Sequence, residues 1–137
     1  MIVVDSSVWI DALRGNHTRA VAAFQAMTMS DEVLVGDLVL MEVLQGIRED
    51  KLFEAFRRDM QVFPVIEVGG EEIAIAAARN YRILRAKGVT VRKTIDTLIA
   101  TRCIRDGLAL LYSDRDFDPF VEHLGLIPVL DPASGVN

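Results

Sequence analysis

The chain has 137 residues, of which 51% are hydrophobic and 26% are charged, a composition that predicts one folded domain with a single core. A chain this apolar can bury enough surface to offset the entropy lost on folding, so we exclude intrinsic disorder. A disulfide scaffold and a cysteine-ligated zinc site are also excluded, because Cys103 is the only cysteine and the chain has two histidines.

The apolar segments predict no membrane attachment. The longest apolar runs are shorter than the roughly 18–20 residues that a transmembrane helix needs. Residues 1–5 lack the basic region and the cleavage signal of a secretory leader. We therefore expect a cytoplasmic protein without membrane contact.

Short apolar runs alternate with stretches of helical spacing, the pattern of a parallel sheet with helices on both faces. In chain order the predicted elements are a strand at 2–4, a helix at 8–13, a helix after 18, a strand at 33–35, a helix at about 37–46, a short helix around 52–56, a strand at 62–66, helices at 71–87 and 95–106, a strand at 108–112, a short helix near 120 and a strand at 127–130. We therefore predict an α/β fold with a central, mainly parallel sheet of about four or five strands. The predicted domain comprises residues 1–131, and a frayed tail follows at 132–137.

Particular residues define some of these elements more closely. Pro64 predicts that the strand at 62–66 either lies at an edge of the sheet or starts at the proline. The residues predicted to cap the first, second and 95–106 helices are Ser6 or Ser7, Thr18 and Thr94. The stripe of the helix at 71–87 that is expected to face the core consists of Ala74, Ile75, Ala78, Tyr81, Ile83 and Leu84.

The net charge of −5 is unevenly distributed. Residues 79–105 hold eight of the 15 cations and one acid, Asp96, so this stretch carries about +7 and the remaining chain about −12. A local excess of this kind can bind a polyanion despite a negative total. A solvated helix face is the alternative that the charges leave open.

Carboxylates are predicted to gather at one edge of the sheet, where ligands of open α/β sheets bind beyond the carboxyl ends of the strands. Asp5 directly follows the first strand, and Asp114 and Asp116 follow the fourth. Asp96 lies in the first turn of a helix, and Glu42 interrupts an otherwise apolar helical segment. Each acid alone could cap a helix, form a turn or face solvent.

Together, these acids would repel one another unless a divalent cation is bound or some of them are protonated. Oxygen ligands suit Mg²⁺ or Mn²⁺ better than zinc or copper. One or two such ions can activate water and neutralise a phosphodiester transition state. The cationic stretch would then hold the substrate backbone.

Four segments, in this order, resemble the signature regions of PIN-domain proteins, and the length resembles that of the VapC toxins of type II toxin–antitoxin modules. The segments are DSSVWID at 5–11, MEV at 41–43, TIDTLIA at 94–100 and SDRDF at 113–117. The resemblance covers essentially the whole chain. It implies an endoribonuclease that depends on Mg²⁺, for which Mn²⁺ can substitute.

The resemblance also implies roles for individual residues. The acidic quartet of the family matches Asp5, Glu42, Asp96 and Asp114. Asp116 competes with Asp114 for the fourth role, and both are expected to help Asp5 and Asp96 hold the metal. Ser7 stands where the family usually has Ser or Thr near the metal and is expected to hold a water molecule.

Partners follow from the same resemblance. It implies an RNA substrate, a VapB-type antitoxin that masks the acidic pocket, a homodimer and larger toxin–antitoxin assemblies. The residues expected to contact RNA are Arg82, Arg85, Arg92, Lys93 and Arg115. For Arg115, pairing with the acids is an equal alternative.

Other classes with acids at strand ends fit less well. A receiver-type signalling domain needs an acidic pair after its first strand and a lysine after a late strand, whereas Asp5 has no acidic neighbour and no lysine follows Lys93. A haloacid-dehalogenase-type phosphatase needs an aspartate where Ser7 stands. A catalytically silent binding module on the PIN fold stays as the alternative.

Overall fold

The structure, a computed structural model, describes residues 1–27 and 32–132. Strands and helices alternate along these residues as the sequence predicts. In chain order they are β1 (Ile2–Val4), α1 (Ser6–Leu13), α2 (Arg19–Gln25), β2 (Val33–Gly36), α3 (Asp37–Gln45), α4 (Asp50–Asp59), β3 (Val65–Ile66), α5 (Glu71–Ala86), α6 (Thr94–Asp106), β4 (Ala109–Leu111), α7 (Asp118–Leu124) and β5 (Ile127–Pro128). No helix within these residues is both long enough and apolar enough to span a membrane.

The five strands form one sheet in the order β3-β2-β1-β4-β5, and every pairing is parallel. The predicted α/β fold with a parallel sheet is therefore confirmed. Because parallel crossovers are right-handed, α1–α4 and α5–α7 lie on opposite faces of the sheet. Helix packing agrees, since α1 contacts α2 and α3 whereas α5 contacts α6 and α7. The strand order reverses between β1 and β4, which is where ligands bind in sheets of this kind.

The core contains an aromatic group beneath the first helix. The indole of Trp9 packs edge-on against the rings of Phe24, Phe56 and Phe63, with ring centroids 4.7, 6.2 and 5.6 Å away. Its Nε1 donates to the carbonyl oxygen of Val4 at 3.2 Å. This contact ties α1 to the end of β1, next to Asp5.

Three predicted strands are shorter in the structure. The fourth, predicted at 108–112, spans Ala109–Leu111. The third is confined to β3, because Met60–Val62 forms a 3₁₀ turn and Pro64 precedes the strand. As Pro64 predicts, β3 lies at an edge of the sheet. The last strand ends at Pro128, before Val129 and Leu130. The predicted tail lies outside the described residues except for Pro132.

Two of the three predicted helix caps are wrong. Asp5, not Ser6 or Ser7, caps α1. Thr94 is the first residue of α6, which begins without a side-chain capping bond. Thr18 does cap α2, because its side chain accepts a hydrogen bond from the backbone N–H of Val21 at 3.1 Å.

The predicted core face of α5 is also largely wrong. Ile73, Ala77 and Leu84 are buried, whereas Ile75 and Ile83 are 47% and 43% exposed. Ala74 and Ala78 are exposed and Tyr81 is half-buried, which leaves Leu84 as the correctly assigned buried residue. The buried stripe is shifted around the helix because α6 and α7, against which α5 packs, determine which face is covered.

Candidate active site

Asp5 lies where the strand order reverses. Its backbone N–H donates to the carbonyl oxygen of Leu111 at the end of β4, at 2.8 Å. Its Oδ2 accepts hydrogen bonds from the backbone N–H and the hydroxyl of Ser7 at 3.1 and 2.6 Å, which caps α1. Its Oδ1 is buried and has no hydrogen-bond partner in the described residues. Burial raises the pKa of Asp5 to about 6, although the bonds from Ser7 act in the opposite direction.

Asp96 is the second buried carboxylate of the site. It lies in the first turn of α6 and is 4% exposed. Burial, followed by the negative charges of Asp5 and Asp114, raises its pKa to about 7. Its Oδ2 has no hydrogen-bond partner in the part of the chain that the structure describes. A buried carboxylate in this state needs a proton or a cation.

The loop after β4 contributes two more acids. The backbone N–H of Asp116 donates to Oδ1 of Asp114 at 2.9 Å, which sets the geometry of this turn. Oδ2 of Asp114 accepts from Nζ of Lys93 at 2.6 Å, and the same Nζ lies 3.9 Å from Asp116. The hydrogen bond to Asp114 raises the pKa of Lys93. Lys93, which was expected to contact RNA, is thus the lysine that pairs with the acids.

Glu42 faces the same edge of the sheet from α3. It is half-buried, and its Oε1 accepts a hydrogen bond from the hydroxyl of Ser6 at 3.2 Å. Its negative charge contributes to the raised pKa of both Asp5 and Asp96. The acid in the middle of an apolar helical segment therefore belongs to a polar site.

Ser7 connects the two central loops. Its hydroxyl donates to Asp5 and accepts from the backbone N–H of Ser113 at 3.1 Å. A hydroxyl has one donor and two acceptor positions, so one lone pair remains for a water molecule. The expected water contact of Ser7 stays a prediction.

We call the five acids of this edge the acidic cluster; its members are Asp5, Glu42, Asp96, Asp114 and Asp116. Carboxylate oxygens of the last three can be placed within 4.8 Å of one another, close enough to hold one ion. Oδ1 of Asp5 and Oδ2 of Asp96 are buried and have no hydrogen-bond partner among the described residues, so both are available to a cation. A donor set made only of oxygens fits Mg²⁺ or Mn²⁺.

Sequence reasoning assigned Lys93 to RNA and missed its pairing with the acids, and it gave no role to Thr97 or Ser113. Lys93 precedes α6 and compensates charge, and its position three residues before Asp96 was the available signal. The hydroxyls of Thr97 and Ser113 are buried without a described partner, next in sequence to Asp96 and Asp114. They add polar atoms around the cluster.

Two cations of the basic stretch pair with acids, whereas the predicted RNA contacts other than Lys93 are exposed. Arg102 and Arg105 pair with acids, Arg102 with Asp106 and Arg105 with Glu72. The predicted RNA contacts Arg82 and Arg85 are exposed on the carboxyl-terminal half of α5, and Arg92 is exposed in the segment that leads into α6. Arg115 is exposed on the loop between Asp114 and Asp116.

Comparison with known proteins agrees with this geometry. The PIN-domain family profile matches residues 2–121. A protein named VapC ribonuclease Mb1587, from Mycobacterium bovis, is 32% identical over 122 residues, which cover 86% of this chain and 90% of that protein. Ribonuclease VapC19 from Mycobacterium tuberculosis is 29% identical over 134 residues, which cover 96% of this chain and 98% of that protein.

Solved structures with the same fold include toxin–antitoxin complexes. VapBC2 from Rickettsia felis, bound to a DNA fragment from its promoter, matches with a TM-score of 0.73 and 16% identity over 93% of this chain and 97% of that one. FitAcB from Neisseria gonorrhoeae matches with a TM-score of 0.72 and 17% identity over 97% and 99%. The fold, the family profile and the sequence relatives together establish that this chain belongs to the PIN-domain family, among the VapC proteins.

Proposed function

We propose that this protein is an endoribonuclease toxin that uses Mg²⁺, or Mn²⁺ in its place, to cleave a specific RNA phosphodiester bond. The observation that carries the proposal is the acidic cluster. Four separate segments of the chain bring its carboxylates to the reversal point of the sheet. Two of them have buried oxygens that lack a described donor. The VapC relatives support ribonuclease activity.

The contacts suggest a separate role for each residue of the site. Asp5, Asp96, Asp114 and Asp116 would hold the metal ion, whose chemistry when bound is to neutralise charge on the phosphate and to lower the pKa of water. Glu42, oriented by Ser6, would accept a hydrogen bond from the attacking water and align it with the phosphate. Ser7 holds Asp5 in place and links it to the loop after β4.

RNA would approach across the exposed cations of α5 and of the segment that leads into α6. Arg82 and Arg85 lie three residues apart on α5, so they share one face of the helix, and Arg92 follows in the next segment. Neutralising phosphates with such side chains releases counterions and makes binding depend on salt. Replacing Arg82 and Arg85 together with Gln should weaken RNA binding and flatten its salt dependence, whereas replacing Arg57 and Arg58 on α4 should not.

We also infer the partners from the related complexes. A VapB-type antitoxin would mask the acidic cluster by placing a basic side chain among the carboxylates, as Lys93 does within this chain. The toxin would form a homodimer and join a larger assembly with the antitoxin. Light scattering of the purified chain tests the dimer, which should have twice the chain mass of 15.2 kDa.

The decisive experiment is induction of the parent chain in a bacterial host with mapping of new RNA 5′ ends. We expect growth arrest and discrete ends for the parent and neither for Asp5→Asn or Asp96→Asn. Asn at position 5 keeps an oxygen that can accept the capping bonds from Ser7, so the fold should survive. Glu54→Gln, which removes an exposed acid of α4, is the matched control and should behave as the parent.

The alternative is a catalytically silent PIN-fold module. It predicts that the purified chain cleaves no RNA with either metal, and that Asp5→Asn changes neither growth nor RNA ends. Cleavage by the purified parent that requires the metal and is lost in Asp96→Asn would exclude this alternative.

A further inference from the structure

A second cavity lies beside the acidic cluster. It measures about 300 Å³ and is bounded by the loop after β4, the start of α2 and the segment after β5. A volume of roughly 300 Å³ is at the lower limit for small-ligand sites. The cavity can therefore take one nucleoside rather than a length of folded RNA.

The loop after β4 contributes residues both to the acidic cluster and to the cavity. Asp114 and Asp116 belong to the acidic cluster. Tyr112, Ser113 and Arg115, which alternate with them or precede them, line the cavity. A strand of RNA whose phosphate reaches the cluster thus has its neighbouring nucleotide next to the cavity.

The walls of the cavity suit the parts of a nucleotide. Arg115 supplies a guanidinium group, which can bind phosphate through two parallel hydrogen bonds. Arg19, Asp118 and Asp131 also line the cavity, so its wall carries both signs of charge. Leu130 and Pro132 supply an apolar wall for the face of a base or ribose. Single-stranded RNA offers such unstacked bases to proteins.

The floor of the cavity is fixed in position. The hydroxyl of Tyr112 donates to Oδ1 of Asp118 at 2.8 Å. The ring of Tyr112 packs on buried Phe117, with centroids 5.2 Å apart. A preorganised wall lowers the entropic cost of binding.

From these contacts we propose that the cavity is a subsite for the RNA nucleotide next to the scissile phosphate, with Arg115 as its phosphate-binding residue. This inference rests on the proposed ribonuclease function and specifies where the flanking nucleotide binds. It resolves the alternatives for Arg115 in favour of substrate contact, since Lys93 already pairs with the acids.

The test uses ¹⁵N-labelled protein titrated with 5′-AMP, with inorganic phosphate as the comparison probe, in EDTA so that no metal occupies the cluster. We expect 5′-AMP to shift the amide signals of Ala20, Ser113 and Leu130, and phosphate to bind at least fivefold more weakly. Arg115→Ala should weaken AMP binding at least fivefold, and Arg115→Lys should fall between. Arg58→Ala, an exposed cation of α4, should bind as the parent.

Four results would overturn the proposal: no shifts at these amides, shifts confined to other regions, equal binding of phosphate, or equal binding by Arg115→Ala with an unchanged spectrum. The failure of the subsite is distinguishable from failure of the proposed function. If the parent cleaves RNA and Arg115→Ala has an unchanged KM, the subsite is wrong and the ribonuclease stands. If 5′-AMP binds as expected but the parent cleaves no RNA, the cavity is a nucleotide site, and both the ribonuclease function and the place of the cavity beside a scissile phosphate are wrong.

Discussion

Replacing Asp96 by Asn should stabilise the metal-free protein, although it removes a residue proposed to be essential for activity. In the folded chain the pKa of Asp96 rises from the ordinary value of 3.8 to about 7, because the carboxyl is buried and lies near the charges of Asp5 and Asp114. Keeping it ionised at pH 8 therefore costs about 4 kcal/mol, at about 1.4 kcal/mol for each pH unit. The amide of Asn carries no charge but remains a buried polar group, so we expect about half of this, about 2 kcal/mol, to be recovered.

The sign of the pH dependence follows from proton binding. Between about pH 4 and 7 the folded chain holds a proton on Asp96 that the unfolded chain has released, so the parent loses stability as the pH rises. The amide of Asn does not titrate, so Asp96→Asn does not lose stability in this way as the pH rises. The advantage of the variant should therefore be absent near pH 4 and complete at pH 8.

Thermal unfolding in EDTA at pH 4, 6 and 8 measures the effect. For a chain of this length, about 2 kcal/mol corresponds to a midpoint shift of roughly 6–10 °C. Saturating Mg²⁺ should raise the midpoint of the parent more than that of the variant, because binding to the folded state alone stabilises it. Glu54→Gln removes an exposed charge and should match the parent at every pH. A midpoint for Asp96→Asn at or below that of the parent at pH 8 would refute the reasoning.

Three further predictions follow from contacts elsewhere. Lys93→Ala should tighten Mg²⁺ binding about fivefold by calorimetry, since a partly exposed charge near Asp114 is worth about 1 kcal/mol; weaker binding would show that Lys93 orders the site instead. Gly36→Ala should lower stability by about 1–3 kcal/mol in urea unfolding, because the added Cβ would lie 2.7 Å from Cγ2 of Val68, and an unchanged midpoint would contradict this packing. Gly107→Ala should lower the free energy of unfolding by about 1–2 kcal/mol, because its φ of +64° is left-handed and the new methyl group meets open space. A clearly larger loss in the same urea unfolding experiment would contradict this open space.

The strands and the place of the acids were predictable because they depend on short-range patterns. An apolar run such as 2–4 predicts a buried parallel strand. Parallel strands place the residues that follow them at one edge of the sheet. That is sufficient to bring Asp5 and Asp114 to the same edge before any contact is known. For Glu42 the cost of burying a lone carboxylate left two alternatives, solvent exposure or a polar site. The resemblance to the PIN signature regions placed it in the site.

The wrong prediction for α5 concerns a segment whose apolar spacing fits more than one buried face. The first turns of α5 read EEIAIAAA, so apolar residues occur on almost every side and helical spacing fits several faces. The neighbours α6 and α7 select the face with Ile73 and Ala77, which local spacing does not encode. The ion pair of Lys93 depends in the same way on the path of the segment between α5 and α6.

The fold itself creates the need for a cation. Asp5 and Asp114 follow neighbouring strands from which the chain departs in opposite directions, so both acids come to the crevice at the reversal point. Lys93 supplies a positive charge to Asp114 and Asp116 but leaves buried oxygens of Asp5 and Asp96 without a described donor. A divalent ion at this position would reach the oxygens that the lysine does not satisfy. Lys93 and the metal therefore compete for the same carboxylates, which is why removing the lysine should strengthen metal binding.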